Sequence, residues 1–201
     1  AAGDVSNAID TLREAVEVNR SSGEQGLGRA LNDLGNAYVA AGDVSNAIDT
    51  LREAVELQPG GAKGRALNDL GNAYVAAGDV SNAIDTLREA VEVERSSGGR
   101  MLGRVLNDLG NAYVAAGDVS NAIDTLREAV EVERRSGGQG LGRVLNDLGN
   151  AYVAAGDVSN AIDTLREAVE VNRSSGEQGL GRALNDLGNA YVAAGDVSNA
   201  I

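Results

Sequence analysis

Four polar side chains recur together five times along this 201-residue chain, in the pattern Arg-x-x-Asn-Asp-x-x-Asn. The first copy consists of Arg29, Asn32, Asp33 and Asn36. An asparagine amide offers two donors and an acceptor, which suits a peptide backbone, while arginine and aspartate bind groups of opposite charge. The set could therefore bind an extended segment of another protein. It could also be a solvated helix face on which Arg29 pairs with Asp33.

The five copies of this pattern supply the candidate peptide-binding residues. They are Arg29, Asn32, Asp33, Asn36, Arg65, Asn68, Asp69, Asn72, Arg104, Asn107, Asp108, Asn111, Arg143, Asn146, Asp147, Asn150, Arg182, Asn185, Asp186 and Asn189. Asparagine is a weak helix former, so its repeated use on an idle helix surface would be unusual. On the residues alone, binding and solvation remain equally open interpretations. Because arginine and aspartate alternate along the pattern, we expect no strong preference for the charge of the peptide.

Composition argues against catalytic and metal sites. The chain has no histidine and no cysteine, so it has no Ser-His-Asp or Cys-His site, no disulfide and no zinc site built on these ligands. The same carboxylates recur in every copy, which is typical of a solvated helix surface rather than of an acid-base pair. The glycine-rich stretch 137–143 lacks the third glycine of a phosphate-binding loop and follows a helix. We expect no enzymatic activity, no cofactor and no metal.

The balance of charge and aromatic residues excludes further classes of partner. Seventeen basic residues face thirty acidic ones, a net charge of −13, and the only aromatic residues are five tyrosines. A nucleic-acid surface needs basic patches and stacking platforms, so we expect no nucleic-acid partner. No apolar run approaches the length of a membrane span, and no signal peptide opens the chain, so we expect no membrane partner and a cytoplasmic location. The chain begins with Ala1 rather than methionine, and we expect it to be a fragment or a processed form.

One repeated unit positions these polar sets. The string AAGDVSNAIDTLREAVE begins at Ala1, Ala40, Ala76, Ala115 and Ala154, and LNDLGNAYV closes each copy. We therefore predict repeat units 1–39, 40–75, 76–114, 115–153 and 154–192 with a partial unit 193–201, all within a single solenoid domain over 1–201. Residues 1–48 are identical to residues 154–201. Either recent duplication or deliberate engineering would produce this identity.

Each unit is predicted to form two antiparallel helices. Apolar residues in 43–58 and in 62–77 follow the spacing of a helical stripe. Asp43 is a suitable N-cap, Pro59 follows the first of these helices, and a short Ala-Gly turn links successive helices. We expect ten helices, a partial helix at Asp196–Ile201 and no strands. Because unit 40–75 is three residues shorter than the others, we expect its helix 43–58 to be shorter than its counterparts.

Small and aromatic residues at fixed positions indicate how the helices pack. Gly71 and its copies lie in the middle of a helix, where glycine costs roughly 1 kcal/mol against alanine. Their recurrence indicates a close backbone contact, and we expect Ala47 and its copies to face them. The single tyrosine of each unit, such as Tyr74, is expected to fill the core while its hydroxyl reaches the edge.

From Leu67 onward the sequence LNDLGNAYVAAGDVSNAIDTLREAVE resembles a tetratricopeptide repeat, and the resemblance covers the whole chain. The matching positions are Leu70-Gly71, Tyr74, Gly78-Asp79, Ala83-Ile84 and Ala90, with Pro59 as the closing proline of the preceding copy. Leu67, Val80 and Leu87 stand where the family often has aromatic residues. Units of 39 residues rather than 34 are similar to the longer-unit subclass of kinesin light chains and spindle-orientation adaptors.

The resemblance implies an all-α fold, a right-handed solenoid of antiparallel helix pairs that forms a superhelix. Its first-helix faces would line a concave groove in which members of the family bind extended peptides or helices. The first hypothesis is therefore a scaffold that binds a protein or peptide partner. The alternative is a structural or engineered array that associates with itself and has no specific ligand. The near identity of the units favours recognition of low specificity, or no ligand at all.

Self-association is expected from the ends of the array. The first helix and the last partial helix each lack the neighbour that covers their counterparts inside the chain, and solenoids normally need capping helices. Because the repeats are nearly identical, the two exposed surfaces are complementary, and head-to-tail contacts of this kind give open filaments. The net charge of −13 opposes such contacts, so association should be stronger at high salt.

Overall fold

The computed structural model describes residues 2–23, 26–175 and 179–195. In these ranges the chain forms ten α-helices and no strand, which confirms the predicted all-α fold. The helices are α1 (Ala2–Ser22), α2 (Leu27–Ala41), α3 (Val44–Leu57), α4 (Gly60–Ala76), α5 (Val80–Ser97), α6 (Leu102–Ala115), α7 (Val119–Ser136), α8 (Leu141–Ala154), α9 (Val158–Ser175) and α10 (Leu180–Ala193). The expected partial helix at 196–201 lies outside the described residues.

The helices alternate between two kinds. We call α2, α4, α6, α8 and α10 the first helices, because they carry the candidate binding residues, and α1, α3, α5, α7 and α9 the second helices. Helix packing divides the chain into two compact units, Ala1–Met101 and Leu102–Ile201. In each unit every helix packs on the helix that follows it in the chain. The architecture is that of an all-α helical repeat solenoid, while the repeat boundaries and the single domain over 1–201 stay predictions.

The turn from a first helix to the next second helix is built by the Gly-Asp pair. Gly42 ends α2 with a φ of 77°, a left-handed conformation that favours glycine. Asp43 then accepts the backbone N–H of Asn46 at 3.4 Å, and this confirms it as the N-cap of α3. Asp79 and Asp118 cap α5 and α7 in the same way. Because the turn is this tight, the two helices that it joins must run antiparallel.

The core between the two kinds of helix is aliphatic, as the sequence predicts. Leu51, Leu87, Leu126 and Leu165 are fully buried, and each lies against a glycine of the preceding first helix. A Cβ atom at Gly71 would lie 2.6 Å from Leu87 Cγ, so only glycine fits there. The leucine that supplies these contacts lies four residues, about one helical turn, after Ala47 and its copies. The expectation that the alanines face the glycines stays a prediction.

Tyrosine and arginine join the two kinds of helix at the edge of the core. Tyr152 is 6% exposed, and its hydroxyl accepts Nε of Arg127 at 2.8 Å. Tyr38 and Tyr74 accept Arg13 and Arg52 in the same manner. The prediction of a core tyrosine whose hydroxyl reaches the edge is confirmed by this contact.

Candidate functional site

The candidate binding residues lie on the first helices, and consecutive first helices approach one another within each compact unit. Consecutive first helices contact one another, α2 with α4 in the first unit and α6 with α8 and α8 with α10 in the second. No close backbone approach occurs between consecutive second helices within the described part of either unit. Within each unit the first helices therefore lie closer to one another than the second helices do.

Long side chains bridge the wider gaps on the second-helix side. Arg20 Nη2 lies 2.6 Å from Glu53 Oε1, and Arg134 Nη2 lies 2.6 Å from Glu167 Oε1. The hydrogen bond to Glu167 raises the pKa of the Arg134 guanidinium above its ordinary value. These ion pairs are exposed, so each contributes little to stability. They show that the second helices use their long side chains to reach neighbouring repeats.

On the first-helix face, two asparagines of one repeat bind an aspartate of the next. Nδ2 of Asn32 and Nδ2 of Asn36 each lie 2.9 Å from Oδ2 of Asp69. We call this arrangement the Asn–Asp clamp. Two further clamps are described: Asn107 and Asn111 donate to Asp147, both at 3.0 Å, and Asn146 and Asn150 donate to Asp186 at 2.7 and 3.0 Å. The candidate asparagines thus join successive repeats to each other.

The two asparagines of each clamp differ in how deeply they are buried. The first is buried, with Asn32, Asn107 and Asn146 between 1% and 4% exposed, and its Oδ1 has no hydrogen-bond partner among the described residues. The second is more open, and Asn36 and Asn111 are exposed. Asn185 and Asn189, in the last first helix, are also exposed. The buried amides face the neighbouring repeat, so only the second asparagine of each pair presents surface on the first-helix face.

The arginines of the pattern project from the same face. The side chains of Arg29, Arg104 and Arg182 are 86%, 51% and 58% exposed. Each lies 3.7–3.9 Å from the aspartate four residues later, which is a loose ion pair. Arg65 and Arg143 are exposed as well, and they form no ion pair with a described residue.

Most of the aspartates of the pattern are less exposed than these arginines. The side chains of Asp108, Asp147 and Asp186 are 14%, 5% and 17% exposed. Asp147 accepts Arg182 Nη2 at 2.8 Å in addition to its two asparagines, so its carboxylate takes three hydrogen bonds. Asp33, in the first copy, is the exception at 52% exposed. The first-helix face therefore exposes its arginine side chains, whereas most of its carboxylates accept hydrogen bonds from a neighbouring repeat.

A cleft of about 550 Å³ lies in the first unit, beside the candidate binding residues of α2 and α4. It is lined by residues of the first helices α2 and α4, by the turn between α3 and α4, and by the segment after α5. Helix α3 has 14 residues, whereas α5, α7 and α9 have 18 each. The prediction of a short helix before Pro59 is thereby confirmed, and the missing turn, about 6 Å long, leaves room for the cleft.

Sequence reasoning found the pattern but missed the clamp and the cleft. The signal for the clamp was the strict recurrence of an Asn-x-x-x-Asn pair together with one aspartate in every unit. The cleft combines residues about forty positions apart, such as Leu57 and Arg100. The role of the candidate residues toward a partner stays a prediction.

Among the described residues, no group of three or more acidic side chains is placed to hold a metal ion. None of the described helices is both long enough and apolar enough to span a bilayer.

Family models for the tetratricopeptide repeat match most of the chain. One model matches residues 62–135 and 101–174, and a second model of the same description matches residues 1–62. Taken together the matches run from residue 1 to residue 174. No curated protein matches the chain.

Solved structures of repeat proteins resemble the fold. BtubC (BKLC) from P. vanneervenii superimposes with a TM-score of 0.80 at 21% identity, covering 99% of this chain and 85% of that one. A Podosopora anserina protein described as a kinesin light chain with nearly identical TPR-like repeats gives 0.75 at 22%, covering 88% and 91%. YrrB, described as a TPR protein with an unusual peptide-binding site, gives 0.64 at 18%, covering 96% and 89%. At these identities the likeness shows the fold.

Proposed function

Because the chain belongs to the tetratricopeptide repeat family, whose fold serves protein–protein interaction, we propose that it is a binding scaffold whose partner lies along the first-helix face. The observation that supports this proposal is the row of exposed arginines on the first-helix face of each unit. The second helices, by contrast, use arginines such as Arg20 and Arg134 to link repeats. The chain acts as a scaffold rather than a catalyst, and it does so in the cytoplasm.

The partner is an extended segment of a protein. Within each unit, successive first helices lie side by side, so their arginines and the second asparagine of each pattern recur along the face. Guanidinium groups bind carboxylates and backbone carbonyls, and the second asparagine of each pair adds amide donors and acceptors. Each such contact is modest, and the affinity comes from several repeats that engage one segment together. A long segment is therefore held more tightly than a short one.

Arg143→Ala is expected to weaken the binding of partner segments to the second unit by about tenfold, because a hydrogen bond to a charged group contributes about 1.5–3 kcal/mol. The matched control is Arg135→Ala, which removes an exposed arginine at the end of the second helix α7. Binding to an array of synthetic peptides measures both variants. Equal effects of the two substitutions, or none from Arg143→Ala, would contradict a site on the first-helix face.

One observation favours self-association as a second function. Leu145 in α8 is 2% exposed, whereas Leu184, at the same repeat position in α10, is 46% exposed. Val192, also in α10, is 57% exposed. Helix α1 repeats the sequence of α9, a helix that packs against α8. Helix α1 of a second molecule would thus find on α10 a surface of the kind that α9 covers on α8.

Leu184→Glu is expected to weaken association of the 201-residue chain, because it places a charge in the apolar surface of α10. The parent chain should associate as its concentration rises, and more strongly at high salt, since screening reduces the repulsion between molecules of net charge −13. Sedimentation equilibrium at low and high salt measures both effects. A strictly monomeric parent chain at millimolar concentration would rule out this second function.

A further inference from the structure

The residues that depart from the repeat meet at one place in the fold. Arg100 and Met101 stand where the next unit has Gln139 and Gly140, and Pro59 belongs to the shortened turn. These departures come from two separate parts of the sequence, and both line the cleft of the first unit. An array of nearly identical units has few side chains with which to distinguish one partner from another. In this chain several of them converge on a single cleft.

The charged side chains of the cleft leave an excess of positive charge. Arg29, Arg65 and Arg100 line it, and its carboxylates are Asp33 and Glu94. Glu94 is 2% exposed, and its Oε2 accepts the backbone N–H of Met101 at 2.9 Å, so it holds the wall of the cleft. Asp33 pairs loosely with Arg29, at 3.9 Å.

Two of these guanidinium groups are available to a ligand. No described residue forms a hydrogen bond or an ion pair with Arg65 or Arg100. The next carboxylate on this face, that of Asp69, accepts the amides of Asn32 and Asn36. The cleft is therefore cationic in a protein whose net charge is −13. An anionic group is repelled by most of the surface and is attracted here.

An apolar wall completes the cleft. Leu57 is 50% exposed, and it lines the cleft together with Pro59 and Met101. Methionine is flexible and polarizable, so it packs against apolar groups of different shapes. The volume of about 550 Å³ lies within the range of about 300–1,000 Å³ for binding pockets. The cleft thus combines room for side chains, an apolar wall and free guanidinium groups.

We infer that this cleft binds an acidic peptide segment that also carries an apolar side chain. The carboxylates of the segment lie on Arg65 and Arg100, and its apolar side chain packs on Leu57 and Met101. This inference rests on the proposed scaffold function and names the partner by its chemistry. It replaces the sequence-based expectation of no preference for peptide charge, because the aspartates of the first-helix face are largely occupied in clamps while the arginines project.

The variant that tests the inference is Arg100→Gln combined with Met101→Gly. It introduces residues that the chain itself has at 139 and 140, where Gly140 donates its N–H to Glu133 at 2.9 Å as Met101 does to Glu94. The helices should therefore remain intact, and circular dichroism checks this. Arg135→Ala is the matched control for the loss of one exposed arginine outside the cleft.

The probes are three fluorescein-labelled synthetic hexapeptides, measured by fluorescence anisotropy at physiological salt. The first alternates glutamate with leucine, the second replaces each glutamate by lysine, and the third replaces each leucine by serine. We expect the first to bind, the second not to bind and the third to bind several-fold more weakly. Arg100→Gln with Met101→Gly should weaken binding of the first peptide by about tenfold or more, since it removes one charge-assisted contact and one apolar contact. The Arg135→Ala control should bind it as the parent chain does.

Equal binding of the three peptides would overturn the inference, and so would an unchanged affinity in the double variant. Failure of the glutamate–leucine peptide to bind at millimolar concentration would overturn it as well. In each case the scaffold proposal is tested separately by binding of the parent chain and Arg143→Ala to the peptide array. The array contains peptides of every charge, and Arg143 lies in the second unit, away from the cleft. A scaffold that binds only other peptides would keep the general function and lose this cleft as its site.

Discussion

Leu145→Ala is expected to reduce the free energy of unfolding by roughly 2–5 kcal/mol, the cost of removing a buried leucine side chain and leaving a cavity. Leu145 lies in α8 and is 2% exposed. The chain provides its own control in Leu184, which occupies the same repeat position 39 residues later and is 46% exposed. Leu184→Ala should cost about 1 kcal/mol or less, because roughly half of the burial is already missing. Urea denaturation followed by circular dichroism measures both.

The damage from Leu145→Ala should also be local. Repeats of a solenoid contact mainly their neighbours, so their stability is a sum of local terms. In the second unit, α8 packs on α7 and α9, and amide hydrogen exchange should accelerate most in these three helices. Equal acceleration throughout the second unit would show that it unfolds as one cooperative body. Equal losses for Leu145→Ala and Leu184→Ala would show that the exposed leucine is covered in solution, which would favour self-association.

Asp147→Ala is expected to cost roughly 2–4 kcal/mol, since it leaves the buried amide of Asn107 without its acceptor and also removes the partner of Asn111 and Arg182. The carboxylate is 5% exposed and accepts two asparagine amides and a guanidinium at 2.8–3.0 Å. Asp33→Ala is the matched control, because Asp33 occupies the same repeat position but is 52% exposed and forms a loose ion pair with Arg29 at 3.9 Å. Its loss should change stability by no more than about 0.5 kcal/mol. Thermal and urea denaturation measure both variants.

A double-mutant cycle separates the clamp from general effects of the substitution. If Asn111 and Asp147 act through their hydrogen bond, the cost of losing both is smaller than the sum of the two single losses. Additive losses for Asn111→Ala and Asp147→Ala would contradict a clamp between them. Equal losses for Asp147→Ala and Asp33→Ala would contradict the argument that burial of the carboxylate makes the difference.

The sequence predicted the helices well because their signals are local. The apolar stripe, the Asp43 cap and Pro59 each act within a few residues of their own position, so the helices, the N-cap and the short α3 could be read directly. The partner of Gly71 could not, because the choice between an alanine and a leucine one turn later depends on how two helices cross. Leu87 fills that place, and only the packing of the pair decides it.

The candidate site was harder to predict because its partners lie about one repeat apart. Asn32 and Asp69 are 37 residues apart, and in a repeated sequence every copy offers the same aspartate. Whether an asparagine faces solvent, its own repeat or the next one depends on the offset between neighbouring first helices. The cleft depends on three residues that are missing from one unit, and the effect of such a gap appears only when α2, α4 and the segment after α5 are placed together.

The Asn–Asp clamp gives each junction a direction. One repeat supplies the two amide donors and the next supplies the carboxylate, as in the clamps on Asp69, Asp147 and Asp186. Adding or removing one complete unit restores the same donors and acceptor at the new junction, while a break inside a unit separates them. Changes in copy number by whole units therefore require no compensating substitution, and unequal recombination between the identical stretches can lengthen or shorten such an array while each new junction remains bonded.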